Sequence, residues 1–307
     1  MGQPPKELYL VTGATGQIGR RVVHYLCRQG QPVRAWVQLG SNYHDLAQAG
    51  AELYFGDITQ RDDIWTALSQ VNHVISTHYH PHHILQVHLK SNLNLIEIAS
   101  KFGVTSFTYI SGLGVDQYAQ HAPLLEAKLA IEHELVNSRL NYIIVRPPLL
   151  NHYLLPWLRQ LQKTGSLIVT GDGNLRHSWL SLDDLATITV KLTRHPHLWR
   201  QILAVGGRPP LSRWDVIHLY QKLTQSQPII VPLPLQILEG VQWGLQWLHQ
   251  GDDLGTLRTL LSHEFICSES EISYLENQLH IQLESLEEFL QRYLAGDESD
   301  KNYSNPN

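Results

Sequence analysis

The sequence predicts an α/β protein: a doubly wound parallel sheet with a smaller, interleaved C-terminal part. Three observations carry that expectation. From residue 7 to residue 145, short apolar runs alternate with amphipathic stretches. Tyr9-Leu10-Val11 and Ile143-Ile144-Val145 are continuously apolar, as strands covered on both faces must be. A glycine-rich turn, Thr12-Gly13-Ala14-Thr15-Gly16-Gln17-Ile18-Gly19, joins the first apolar run to the first amphipathic stretch.

The expected strands are Leu8–Thr12, Val33–Val37, Glu52–Phe55, His73–Ser76, Phe107–Ile110 and Tyr142–Val145. Helices are expected at Gln17–Arg28, Arg61–Leu68, Ile84–Phe102 and Leu125–Asn137. After Pro147-Pro148 the rhythm changes. Ser166–Thr170 reads as a strand closed by Gly171-Asp172-Gly173-Asn174, and Ser181 is placed to cap a helix that runs through Thr193. Ile202–Val205 resembles a further strand of the first sheet, followed by helix-like stretches at Ser212–Thr224, Leu235–His249 and Ser285–Leu294. A dinucleotide-binding core over residues 6–152, completed by 178–207, is therefore expected. Residues 153–177 and 208–296 would form the smaller substrate or lid part, and the polar tail 297–307 would be disordered.

Composition narrows the function. The 307 residues hold 23 Lys+Arg against 28 Asp+Glu, a net charge of −5, with 43 % hydrophobic residues. That apolar share supports a core and excludes a disordered chain. The acidic balance argues against nucleic acid as the ligand, because neutralising phosphates needs clustered cations. Cys27 and Cys267 cannot build a disulfide framework, and a reducing compartment such as the cytoplasm is expected. No secretory signal or membrane-spanning segment is expected either.

The glycine turn follows a strand and opens a helix, the context in which such a motif carries weight. Gly13 permits the tight turn, Gly16 lets the backbone approach a pyrophosphate, and Gly19 allows the helix to pack closely. The helix N-terminus favours the negative charge. Sites that select NAD usually carry an acid about 20 residues on, at the end of the second strand. Val33-Arg34-Ala35-Trp36-Val37-Gln38 has none. NADP is therefore favoured, with Arg20, Arg21 and Arg34 as candidate cations for its extra phosphate. Asp57, after Gly56, either accepts from the adenine or caps the next helix.

These residues, taken in order along most of the chain, resemble the NmrA-like, atypical branch of the short-chain dehydrogenase/reductase superfamily. The resemblance runs through the glycine turn, Gly56-Asp57, Asn94-Leu95-Ile96-Glu97, Tyr109-Ile110-Ser111, Glu126-Ala127-Lys128, Arg146-Pro147, Asp183-Asp184 and the Leu286-Glu287-Glu288-Phe289 helix. It implies an NAD(P)H-binding Rossmann fold. That branch contains quinone reductases as well as non-catalytic regulators and assembly factors. Active members use a Ser, a Tyr and a Lys four residues after the Tyr. Ser111 and Lys128 match, whereas Leu124 stands where the Tyr proton donor belongs. The resemblance further implies that Thr15, Gln17 and Ile18 join the three turn glycines around the pyrophosphate. It places Asp57 and Ile58 at the adenine and Lys128 at the ribose, with Ser76, Thr77, Pro147 and Pro148 lining the nicotinamide.

The expected activity is reduction of a quinone-like or other flat apolar molecule that can do without the Tyr. The alternative is a cofactor-binding regulator or assembly factor with a protein partner. Tyr118 is a substitute donor in principle, although an exposed loop aromatic is the better reading of it. His78-Tyr79-His80-Pro81-His82-His83 invites proton donation near neutral pH, cofactor contact or a metal. Metal is disfavoured because nothing guarantees converging ligands. His88 occupies a place where many extended members have Asn. The Leu235–Leu248 apolar face, edged by Trp243 and Trp247, reads as a core or lid helix.

Overall fold

The computed structural model describes residues 6–80, 83–234 and 254–296. The expected Leu235–His249 helix, the 297–307 tail, and Pro81 and His82 of the histidine run lie outside the described residues. The first half repeats strand and helix: β1 (Tyr9–Thr12), α1 (Gln17–Arg28), β2 (Val33–Val37), α2 (His44–Gln48), β3 (Glu52–Phe55), α3 (Arg61–Ala67), β4 (His73–Ser76). A π-helical turn, Ile84–Lys90, leads into α4 (Ser91–Phe102), then β5 (Ser106–Ile110), α5 (Val115–Tyr118), α6 (Pro123–Asn137) and β6 (Tyr142–Arg146). Beyond these come β7 (Leu149–Leu150), α7 (Leu155–Thr164), β8 (Ser166–Thr170), β9 (Arg176–His177), β10 (Trp179–Leu180), α8 (Leu182–Thr193), β11 (Gln201–Ala204), β12 (Leu211–Ser212), α9 (Arg213–Thr224) and β13 (Ile229–Leu233). Helices Leu254–Ser262, Glu269–Leu279 and Leu286–Leu294 follow.

Seven strands form one parallel sheet in the order β11-β6-β5-β4-β1-β2-β3. The doubly wound expectation is borne out, and Ile202–Ala204 does return to pair with β6. The order reverses between β1 and β4, the switch point where such sheets open a crevice at their carboxyl ends. Helices cover both faces. Ile64 of α3, Leu95 and Ile98 of α4, and Ile131 and Leu135 of α6 pack on one side. Val22 and Leu26 of α1 pack with Ala186 and Val190 of α8 on the other. A smaller core joins α7, α9, β8 and the last helix through Leu158, Val169, Ile217, Phe289 and Leu290. The parallel pair β8–β13 belongs to this smaller part. Ser181 caps α8 by accepting from the Asp184 N–H at 3.0 Å, as its sequence position implied.

Candidate functional site

The glycine turn lies at the carboxyl end of β1, beside the end of β4. Gly13 has φ +67°, and a Cβ there would stand 2.7 Å from the His78 backbone. A Cβ on Gly19 would meet the Gly13 carbonyl at 2.2 Å and Thr77 Oγ1 at 2.7 Å. Only glycine fits at either position. Gly16 leads into α1 without a side-chain cap, and the N-terminus of α1 favours a negative charge placed there. Thr15, Gly16 and Gln17 remain at least partly exposed around this turn, while Ile18 packs inward.

The candidate catalytic pair meets at the carboxyl end of β5. Lys128, half-buried on α6, donates to the carbonyls of Ile110 (3.2 Å) and Ser111 (3.0 Å), with its ammonium 5.7 Å from the Tyr109 ring centre. Burial lowers the Lys128 pKa to about 8, against a smaller upward pull from Glu132 one turn along the helix. Ser111 Oγ is buried with no hydrogen-bond partner. Leu124 packs into an apolar cluster with Ile84 and Ala127, so the usual Tyr position is filled by hydrocarbon. Beneath Lys128, Glu132 holds Arg146 through two bonds of 3.0 and 2.6 Å, and Arg146 also reaches Asp116.

His78, the first histidine of the run, and His88 are buried as neutral rings. His88 Nδ1 lies 3.2 Å from the His78 carbonyl and must donate there, so its Nε2 accepts from the Tyr109 hydroxyl at 3.2 Å. Asn92 Nδ2 donates to His78 Nε2 (3.0 Å) and to the His88 carbonyl (2.7 Å). His78 Nδ1 therefore carries the proton and donates to Thr12 Oγ1 at 2.9 Å. Ser76 donates to Asn92 Oδ1 at 2.7 Å. Every member of this network is satisfied with both rings neutral. Burial, with the Lys128 charge second, lowers His78 to about 3 and His88 to about 2. The network fastens the carboxyl ends of β1 and β4 to the start of α4. Among the described residues no three His, Cys, Asp or Glu side chains come together as a metal site.

Other predicted residues fall in varied places. Arg34 is a correction. Its guanidinium is bound to Glu52 at 2.8 and 3.3 Å and to the carbonyls of Ala67 and Ser69, at the end of α3. That junction precedes β4 and lies at the amino end of the sheet, opposite the glycine turn, so Arg34 cannot meet a ligand there. Arg21 is held by Asp183 at 3.0 Å. Arg20 bonds Asp45 and the carbonyls of Thr15 and Asn42, which puts a cation between the glycine turn and the loop after β2. Asp57 Oδ1 accepts from the Thr59 amide and hydroxyl, which lowers its pKa, so it shapes its own turn. Ile58 packs against the α3–α4 core. Ser76 is wholly buried in the histidine network, and Thr77 Oγ1 donates to the Thr12 carbonyl at 2.8 Å. Both thus brace the backbone around the turn. The Pro147 carbonyl accepts from Leu113 N at 2.8 Å, and Pro148 packs beside Gly206. Tyr118 sits among His263, His121 and Phe265, 4.2 Å from the His263 ring. It is a packed aromatic in a cluster away from Lys128.

Asn151 opens the short helical turn that follows β7. Its amide is buried on both ends with no partner, and the following His152 Nδ1 is likewise unpartnered. Leu150, Ile110 and Ile18 share one apolar cluster, so the backbone just before Asn151, the backbone just before Ser111 and the first turn of α1 pack together. The only signal was a polar pair after the apolar Pro147–Leu150 run.

A glycine turn at the switch point of a doubly wound sheet, with an orphaned buried Ser111 just after β5 and Asn151 just after β7, defines a dinucleotide-binding Rossmann protein. The chain belongs to the NAD(P)H-binding family, whose pattern matches residues 13–196. It is 28 % identical over 251 residues to Photosystem II assembly factor Ycf39 of Trieres chinensis, spanning 76 % of this chain and 77 % of that one. The Ycf39 of Synechocystis is 25 % identical over 300 residues, 93 % of this chain and 90 % of that one. Among solved structures, the Citrobacter triphenylmethane reductase complexed with NADP(H) superposes with a TM-score of 0.75 at 17 % identity. That match spans 92 % of this chain and 99 % of that one, and establishes likeness of fold. Among the described residues, no helix is long and apolar enough to cross a membrane.

Proposed function

We propose that the protein binds NADPH across the glycine turn and reduces a flat apolar acceptor such as a quinone, with Lys128 in place of the missing Tyr. The observation that carries this reading is Lys128 beside the orphaned Ser111 hydroxyl, in a site whose other buried titratable groups are locked. Tyr109 keeps its proton and donates a hydrogen bond to His88, and His78 and His88 stay neutral down to strongly acid pH. That leaves Lys128, near 8, as the group that can release a proton close to neutrality.

The cradle fits the cofactor. Gly13, Thr15, Gly16, Gln17, Ile18 and Gly19 would hold the pyrophosphate on backbone amides and the α1 N-terminus. Asp57 would meet the adenine with its second carboxylate oxygen. The lack of an acid at the end of β2 favours NADPH over NADH, and Arg20, paired with Asp45, is a cation beside the glycine turn. Pro147 and Pro148 would border the nicotinamide, and Asn151 would pair with its carboxamide. The bound dinucleotide supplies hydride chemistry. Lys128 would orient the ribose and deliver the proton that the reduced acceptor takes up, while Ser111 would donate to the acceptor oxygen. The two separate free thiols, Cys27 and Cys267, suit a reducing compartment such as the cytoplasm.

A second reading has its own support. Leu124 and the likeness to Ycf39 fit an assembly factor or regulator that binds cofactor and a protein partner without turnover. The discriminating experiment follows NADPH absorbance with a panel of quinones and carbonyl compounds, for the native protein and Lys128→Met. Acceptor-dependent oxidation that falls at least a hundredfold in Lys128→Met supports the reductase. Stoichiometric NADPH binding with no oxidation by any acceptor supports the partner-binding reading.

A further inference from the structure

Arg213 opens α9, behind a Ser212 cap that accepts from the Asp215 amide. Its side chain turns inward and is 5 % exposed. Nη1 donates to the Thr170 carbonyl, but Nε and Nη2 are both buried without a partner. A guanidinium cannot shed its charge at any ordinary pH, so a buried one with idle donors is costly unless something meets them.

The idle atoms form the side of the guanidinium on which two parallel N–H groups match a carboxylate. Elsewhere in this chain that side is used in this way. Arg34 grips Glu52 with Nε (2.8 Å) and Nη2 (3.3 Å), Arg146 grips Glu132 (3.0 and 2.6 Å), and Arg292 grips Glu284 (2.9 and 3.3 Å). The neighbouring acids do not fill the role at Arg213. Asp172 takes a bond from Asn174, and Glu264 accepts from the Arg176 amide at 3.0 Å. A second orphan lies close by. His177 pairs through β9 with Leu211 of β12, is 2 % exposed, and has an unpartnered Nδ1 near enough to feel the Arg213 charge.

We propose that the Nε/Nη2 edge of Arg213, with His177 alongside, anchors a second ligand site that takes the carboxylate of a small organic acid. It lies in the C-terminal part, between β8, the β9–β12 pair and α9, and stands apart from the dinucleotide reading. The planar, two-pronged edge matches the two oxygens of a carboxylate and not a neutral amide; it can also pair two oxygens of a phosphate, whose remaining charged oxygens would then be buried without donors.

The test uses the full chain in calorimetry and thermal unfolding, with formate, acetate, benzoate and succinate, benzamide as the neutral control, and inorganic phosphate as the tetrahedral one. At least one carboxylate should bind saturably and raise Tm, while benzamide should not and phosphate should bind more weakly. Arg213→Lys keeps the charge but not the two-pronged edge, and should lose at least tenfold in carboxylate affinity. Arg213→Met should abolish the response while leaving NADPH binding intact. Should Arg213→Met fail to fold, Arg213→Lys decides. Absence of a saturable carboxylate, equal shifts with benzamide, phosphate binding as tightly as the best carboxylate, or native affinity in Arg213→Lys would each overturn the proposal.

Discussion

Acidification should unfasten the site through its buried histidines. His78 and His88 are neutral in the folded protein, with pKa values pushed down to about 3 and about 2, whereas a histidine in the unfolded chain titrates near 6.5. The unfolded state therefore binds more protons below pH 6.5. The stability these groups hold is complete above 6.5 and drains away as pH falls from 6.5 toward 3. From pH 7 to pH 5 each loses about 1.9 kcal/mol, so the pair loses about 4 kcal/mol. That is a large part of the 5–15 kcal/mol typical of a folded domain. The assay is urea unfolding at both pH values for the native protein and His88→Asn, whose side chain does not titrate. The variant starts less stable at pH 7 because the Tyr109 bond changes, but its loss on acidification should be smaller by about 2 kcal/mol. His73, His152 and His177, also lowered by burial, act equally in both proteins and cancel. An identical loss in the two proteins would refute the neutral, buried assignment of His88.

Two further outcomes follow from the same geometry. If Lys128 supplies the proton, steady-state reduction should be level below about pH 8 and decline above it, with that limb absent in Lys128→Met. In Leu124→Tyr, the added ring must displace Ile84 and Ala127, so it should lower stability by about 1–3 kcal/mol without raising turnover, as read from urea midpoints and initial rates.

The parallel sheet was legible because strands buried on both faces are written as unbroken apolar runs. Tyr9–Val11 and Ile143–Val145 are such runs, and both lie buried in the sheet. The two-residue strands β7, β9, β10 and β12 carry no periodicity, and the β8–β13 pairing joins segments about 60 residues apart, so neither could be read locally. Ile84–Phe102 read as one helix, but its first seven residues are wound as a π-helical turn that brings His88 against Tyr109. The glycine cradle was legible because only backbone chemistry was needed to read it. Arg34 was misplaced because strand position tells which face a side chain leaves, not which end of the sheet a long one reaches. The histidine run looked reactive in sequence, and only the Thr12, Ser76, Ser91 and Asn92 partners show His78 to be part of the frame. Asn151 and Arg213 stand out through partners they lack, which no linear pattern records.

The most direct test of the central claim is calorimetric titration of NADPH and NADH into the native protein and Gly13→Val. The native protein should bind one NADPH per chain and NADH more weakly, and both should be lost in Gly13→Val, whose side chain would collide with the His78 backbone. Because that variant strains the turn, Gly40→Ala, at a positive-φ glycine with open space around it, serves as the folded control and should bind normally. No heat of binding from either dinucleotide with the native protein, or native affinity in Gly13→Val, would contradict the account.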